Sequence, residues 1–238
     1  MELEEIARSY DPSSPEKDFD YWLINFDFEA LSKFIIGEKV IELGCGKGVL
    51  TEKLAKVCKE VTAVEGSMEN INYVQRKLKD YSNIYYCHSY WEEFEHKNSD
   101  ISDVVFFMGL EHLNKEAASN VLSKIKNWLR SDGKLHITVP NAYSLHRRVA
   151  WYMNAIKDVH EFSERDKLFG HKRVYDKETL FKELKDCGYR ILHWEGIFLK
   201  PLPNNGMMDL NEKIIRGFYE VGKELPDYCA HIYAVCEK

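Results

Sequence analysis

The sequence predicts an α/β fold, a mostly parallel sheet with helices on both faces. From residue 39 onward, strand-like apolar runs alternate with helix-like segments. Two of the runs, Val104-Val105-Phe106-Phe107 and Ile137-Thr138-Val139, suit strands buried on both sides. The stretch Val40-Ile41-Glu42-Leu43-Gly44-Cys45-Gly46-Lys47-Gly48 breaks from an apolar strand into three alternate glycines, then into a helical pattern over 50–55.

Taken in order, residues 1–20 are polar and interrupted by Pro12 and Pro15, which reads as a mobile arm. Residues 21–34 carry aromatics at helical spacing, so 1–36 reads as an arm followed by a helix on the sheet edge. The pattern then predicts strands at 39–43, 60–64, 83–87, 103–107 and 134–139. Helices are expected at 48–57, 67–80 and 115–130. After Pro140 the alternation fails. Residues 141–175, dense in His, Arg, Lys and aromatics, read as a cap inserted after the fifth strand. Asp176 as N-cap and Gly188 as C-cap bracket a further helix. A strand at about 189–198, a Pro/Asn/Gly loop, a helix at 209–223 and a strand at 230–235 complete one domain over 1–238.

The chain has 238 residues, 45% of them apolar, and a net charge of −6. That is enough apolar content for a full core, and it argues against a nucleic-acid or anionic-membrane partner, which calls for a basic face. No apolar run is long enough for a membrane span, and the acidic N-terminus lacks a signal-peptide pattern. The six cysteines are scattered and form no C-x-x-C pair. They read as buried thiols in a reducing cytosol, so a cytoplasmic protein is expected.

The glycine segment points to chemistry. Three glycines let the backbone turn tightly and lie against a ligand. Glu65 ends the next apolar strand about 20 residues on, where a βαβ unit places a carboxylate to grip a ribose. A dinucleotide site wants G-x-G-x-x-G, but Val49 occupies the third glycine's place. Glu42, two residues before the first glycine, would repel a pyrophosphate and suits a cationic amino-acid head group. S-adenosylmethionine has such a head group together with a ribose diol.

These residues resemble the first motif of class I S-adenosylmethionine-dependent methyltransferases, and the resemblance extends along nearly the whole chain. Its other landmarks are Glu65-Gly66-Ser67-Met68, Ser89-Tyr90-Trp91, Gly109-Leu110-Glu111-His112-Leu113 and the stretch from Gly133 to Asn141. Glu-His-Leu and the Pro-Asn ending look like the small-molecule O-methyltransferase branch related to ubiquinone-biosynthesis enzymes. The resemblance implies a Rossmann-like seven-stranded sheet in the order 3-2-1-4-5-7-6, with strand seven antiparallel. It implies S-adenosylmethionine as cofactor, with S-adenosylhomocysteine as product. Gly44, Gly46 and Gly48 would then back the methionine portion, Cys45 would contact it through its backbone, and Glu65 would accept from the ribose hydroxyls. Gly66 and Ser67 lie beside that carboxylate. Met68 and Trp91 would flank adenine, the alternative being core packing; Ser89 or Tyr90 would read its edge, and Met108 would close the set.

For the acceptor, His112 is the candidate base, being placed at the carboxyl edge of the sheet; the alternative is a packing or loop-bonding role. Glu111 is expected to fix the loop. Two basic triplets in the cap, His146-Arg147-Arg148 and His171-Lys172-Arg173 with Tyr175, are read as surrounding an anionic acceptor, with His160 between them and Tyr21 closing from the arm. The alternative pairs Arg147 with Glu161, Glu164 or Asp166, and the related enzymes carry His-x-Arg-x-Tyr ahead of a helix. No Asn-Pro-Pro-Tyr follows strand four, which lowers the case for N-methylation of nucleobases. Asp103 and Glu111-His112 do not reproduce the acidic metal triad of catechol-type enzymes, and no His/Cys spacing suits zinc, so no metal is expected. The reading is O-methylation of a small anionic metabolite, such as a sugar or phosphorylated precursor of surface polysaccharide. Protein or RNA methylation and an NAD-binding oxidoreductase are the alternatives, and oligomeric state is left open.

Overall fold

The computed structural model describes residues 3–238. The seven strands are β1 (Lys39–Leu43), β2 (Glu60–Glu65), β3 (Ile84–His88), β4 (Ile101–Phe107), β5 (Leu129–Pro140), β6 (Arg190–Ile197) and β7 (His231–Glu237). They form one sheet in the order β3-β2-β1-β4-β5-β7-β6. All neighbours pair in parallel except β7, which is antiparallel to both β5 and β6. The order and the reversed strand are those the resemblance implies.

The helices are α1 (Leu3–Ser9), α2 (Asp20–Leu31), α3 (Val49–Val57), α4 (Met68–Lys77), α5 (Lys115–Trp128), α6 (Leu145–Tyr152), α7 (Glu164–Leu168), α8 (Lys177–Asp186) and α9 (Glu212–Glu224). Side chains alternate across a strand, and β4 and β7 use this to fill two cores. Val104 and Phe106, with Ile232, Ala234 and Cys236, pack with Val121 and Ile125 of α5 and Leu180 and Leu184 of α8. On the other face Tyr233 and Val235 pack with Leu23 and Phe26 of α2 and Ile215 and Tyr219 of α9. Both faces of β4 are therefore buried, as its uninterrupted apolar run predicts. All six cysteines are free thiols, and no helix among the described residues is long and apolar enough to cross a membrane.

Two readings change. Residues 1–20 are not simply an irregular arm, because 3–9 form α1; residues 1 and 2 lie outside the described residues. Pro12 and Pro15 follow α1 and cannot disrupt it, while Glu4 and Glu5 in its first turn and Arg8 in its last suit the helix dipole. Strand β5 starts at Leu129, which pairs with Ile101 ahead of a register shift, well before the predicted residue 134.

The register positions the site. Leu43 is level with Val64, and Glu42 with Val105, so β1, β2 and β4 deliver Gly44, Glu65 and Met108 to one edge of the sheet. Residues 141–175 hold α6 and α7. Arg165 of α7 reaches Asp18 at 3.0 Å and Asp20 at 2.8 Å, and Tyr10 meets Phe169 edge-on at 5.3 Å. The N-terminal segment and the cap thus meet above that edge.

Candidate active site

At the end of β1 the amide of Gly44 donates to the Val64 carbonyl at 2.8 Å, which joins the glycine turn to β2. Gly44, Gly46 and Gly48 all have positive φ, at 88°, 49° and 71°, where side chains are strained. Their surroundings differ. A Cβ on Gly46 would meet nothing within 4 Å, so this backbone faces open space, whereas one on Gly44 would lie 3.1 Å from the Trp91 ring. A Cβ on Gly48 would lie 2.7 Å from Val74, so Gly48 permits close packing of α4 and does not face the open space.

Glu65 holds this turn in place. One carboxylate oxygen accepts from the Gly46 amide at 2.9 Å and the other from the Ser67 amide at 2.9 Å. Burial pushes its pKa up while the amide donors oppose that shift. Ser67 in turn caps α4 through the Asn70 amide. Helix α1 lies across the same corner. Glu4 accepts from the Ser67 hydroxyl at 2.7 Å and the Met68 amide at 3.0 Å, and Lys47 donates to the Ala7 carbonyl at 2.6 Å.

A cavity of about 660 Å³ runs from this turn to the cap. Gly44, Gly46, Glu65, Gly66, Tyr90, Trp91 and Met108 line its near end, together with Leu3 and Ile6 of α1. Met108 has φ 50°, unusual for a side-chain-bearing residue, and its amide is tied to the Thr138 carbonyl at 3.0 Å. The far end is lined by Asp20, Leu23, Asn141, His146, Lys200 and His231, among others. There Asp27 and His231 pair at 3.0 Å. Burial lowers the Lys200 pKa to about 8.

Glu111, His112 and His171 meet in the middle of the cavity wall. A 3-10 turn, Leu110–His112, carries the first two. The cap delivers His171 because the amides of Lys172 and Arg173 both donate to the Glu111 carbonyl, at 2.8 and 3.2 Å. The two imidazoles meet edge-on with centroids 4.7 Å apart. Glu111 is only 1% exposed, and neither of its carboxylate oxygens has a hydrogen-bond partner among the described residues. Desolvation pushes its pKa up to about 7. Desolvation and His171 push the His112 pKa down to about 4, which keeps that ring neutral. The turn depends on Gly109, where a Cβ would stand 2.1 Å from a Phe106 ring atom. Phe106 is fully buried and cannot yield. Gly109→Ala is therefore expected to destabilise the fold by about 1–3 kcal/mol, read as a lower midpoint in thermal unfolding.

The structure divides the expected site residues between the cavity wall and the surrounding fold. Glu42, Cys45, Gly48, Ser67, Met68 and Ser89 do not line the cavity. Glu42 and Cys45 are buried beneath the turn, whereas Met68 is largely exposed. Trp91 lines the cavity and packs on Gly44 and edge-on against Phe106 at 5.1 Å. The basic triplets do not form a cationic ring. Arg147 lines the cavity but is held by Asp166 at 2.9 Å and by the Val159 and Glu161 carbonyls. Arg173 is spent on Glu183 at 2.8 Å and on the Leu110 and Leu113 carbonyls. It clamps the turn carrying Glu111 to α8. Arg148 lies over the Tyr228 ring outside the cavity. The Tyr175 hydroxyl donates to Glu183 at 2.6 Å, and Tyr21 packs against Trp22; neither lines the cavity. His160 pairs with Asp176 at 2.9 Å. Of the triplets, His146, Arg147, His171 and Lys172 reach the wall. Leu3, Ile6, Asp20, Lys200 and His231 also line the cavity; α1 brings the first two, the start of α2 brings Asp20, the segment after β6 brings Lys200 and the start of β7 brings His231.

Comparison with known proteins bears on this geometry. Residues 40–133 match the methyltransferase domain family. A ubiquinone biosynthesis O-methyltransferase of Aeromonas salmonicida (strain A449) is 25% identical over 185 residues, covering 74% of this chain and 73% of that protein. An (S)-coclaurine N-methyltransferase of Thalictrum flavum subsp. glaucum is 29% identical over 133 residues, 54% of this chain; the match spans only 35% of that protein. Among solved structures, a SAM dependent methyltransferase from Archaeoglobus fulgidus superposes with a TM-score of 0.61 at 19% identity, covering 91% of this chain and 93% of that one.

Proposed function

We propose that this chain, which belongs to the class I S-adenosylmethionine-dependent methyltransferases, methylates an oxygen of a small hydroxylated metabolite held in the far half of the cavity. The observation that carries the reading is the convergence of Glu111, His112 and His171 on the wall between the glycine turn and the far end. An amine acceptor in its free-base form already offers a lone pair. A hydroxyl must also lose a proton, and polar groups placed at the reacting centre serve that need.

The residues at the near end fit the cofactor. Gly46 leaves unfilled the space that a Cβ would take. Glu65 keeps lone pairs for the ribose hydroxyls beyond those used by the Gly46 and Ser67 amides. When bound, S-adenosylmethionine supplies a methyl group already activated on a sulfonium. The chain's own part is alignment and water exclusion. Trp91 and Met108 wall the near end, and α1 with the cap roofs the cavity. With the cofactor held there, the far half of the cavity would align the acceptor oxygen with the methyl group, and the Glu111–His112–His171 cluster would take up the acceptor proton. Asp20, His146, Lys200 and His231 offer hydrogen-bond partners for hydroxyl groups at the far end. Arg147 and Arg173 are satisfied by Asp166 and Glu183 within the fold, so the acceptor need not be anionic. Sugars fit this polar end as well as their phosphates do, and a surface-polysaccharide precursor belongs to that class. The roofed cavity favours a small acceptor over an intact protein or RNA.

Two measurements test the reading. Calorimetry should find S-adenosylhomocysteine binding with NAD not bound. Incubation with methyl-labelled S-adenosylmethionine and a panel of sugars, sugar phosphates and phenols should label a small product at oxygen. Label appearing only on nitrogen, or only on added protein or RNA, would overturn the acceptor assignment.

A further inference from the structure

We propose that Glu111, His112 and His171 form a binding site for one first-row divalent cation, with open coordination positions facing the cavity. Two imidazoles and one carboxylate are the ligand set that such ions accept, and sites of this kind leave positions free for a substrate oxygen. One ligand atom from each residue lies within 4.8 Å of the others. Small side-chain rotations would bring all three to the roughly 2.1 Å of a metal bond. An all-oxygen site would suit magnesium or calcium better.

Proximity alone would not carry this. The second observation is the Glu111 carboxylate, which is buried and aimed at the two imidazoles with both oxygens unpartnered. Such a group is costly unless something pairs with it, and a cation between the three side chains would pair with it directly. The third observation is how the histidines are held. His171 Nδ1 sits 3.0 Å from Asp166, leaving Nε2 to face the cluster. A metal-bound histidine is oriented by a carboxylate on its other nitrogen in this way. Asp166 is itself fixed by Arg147 at 2.9 Å and by the Ser163 hydroxyl at 2.7 Å. The Phe169 carbonyl engages the His112 ring. The basic residues of the cap therefore serve to orient a ligand set. Lys172 lines the same cavity and acts electrostatically on His112, and it supplies no ligand atom.

The catalytic consequence rests on the oxygen-methylation reading; the binding site does not. With the ion bound, the three side chains serve as ligands in place of proton acceptors, and an acceptor hydroxyl coordinated to the ion would lose its proton to water more readily, because the cation stabilises the alkoxide or phenolate left behind. The oxygen would then meet the methyl carbon already oriented.

The test uses the full chain, stripped of metal by chelator, titrated with Zn(II) and Co(II). The expected result is one ion per chain and, for Co(II), visible ligand-field bands. Glu111→Gln and His171→Asn should each weaken binding at least about tenfold while S-adenosylhomocysteine still binds, which shows that they are folded. Wild-type affinity in both variants, or no uptake by the wild type at about millimolar ion, would overturn the site. Metal uptake without S-adenosylhomocysteine binding would leave the site standing and remove the methyl-transfer reading. Cofactor binding without metal uptake would do the reverse.

Discussion

Replacing Glu65 with glutamine is expected to lower S-adenosylhomocysteine affinity by about 100-fold or more and to loosen the glycine turn. The reason lies in how its two oxygens are used. One accepts from the Gly46 amide and the other from the Ser67 amide, each at 2.9 Å. A glutamine offers one acceptor and one donor in the same place. Whichever way it turns, its NH₂ faces a backbone N–H, and one of those amides is left unpaired in a buried corner. Each bond to the charged carboxylate is worth about 1.5–3 kcal/mol, and the ribose contacts would be lost as well. Calorimetric titration and thermal unfolding read the two effects separately. Unchanged binding in Glu65→Gln would place the ribose elsewhere.

The legibility of this site divides along the same line. The strand, the alternate glycines and Glu65 could be read because their signals are local. The spacing of glycines around a turn and an acid at the end of the next strand are fixed by βαβ geometry before any tertiary contact forms. The role of each glycine could not be read that way. Gly46 faces the cavity, while Gly48 accommodates Val74 of α4, and nothing in the three-glycine pattern distinguishes them. In the cap, the structure shows the alternative pairing of Arg147 with Asp166. A run such as His-Arg-Arg shows charge, and which of several acids pairs with it is decided by the fold. The partners of Arg147 and Arg173, Asp166 and Glu183, sit 19 and 10 residues further on. The expectation of no metal rests on ligand spacing and on the lack of an acidic triad from Asp103 and Glu111-His112, and neither ground reaches into the cap. Glu111 and His112 are adjacent, but their third companion, His171, arrives from the far end of the cap, stitched on by the amides of Lys172 and Arg173. Helix α1 does carry a local signal, Glu4 and Glu5 in its first turn and Arg8 in its last, which Pro12 and Pro15 further along the segment mask; its docking on Ser67 and Lys47 is what the segment alone does not show.

Glu42 carries the second large expected effect. It is 2% exposed beneath the glycine turn, and neither of its oxygens nor the neighbouring Thr51 hydroxyl has a hydrogen-bond partner among the described residues. Burial raises its pKa from 4.5 to about 8; the adjacent Thr51 hydroxyl, outside hydrogen-bonding geometry, offsets part of that rise, and Glu65 adds a smaller push. The folded state therefore holds a proton that the unfolded chain releases at much lower pH. Stability is highest below about pH 4.5, falls as pH rises toward 8, and changes no further above that from this group. At about 1.4 kcal/mol per unit, the full span is on the order of 5 kcal/mol. Glu42→Gln removes the ionisation and keeps the volume. It should melt near the wild-type temperature at pH 5 and several degrees higher at pH 8.5; a difference independent of pH would refute the assignment. The same residue links stability to binding. A cationic head group above the turn would draw the Glu42 pKa down. S-adenosylhomocysteine should then bind at pH 7 with release of a proton in the wild type and none in Glu42→Gln. Calorimetry in buffers of different ionisation enthalpy measures that proton directly. Equal release in the two proteins would mean that the buried carboxylate does not sense the ligand, and that its proton belongs to the fold alone.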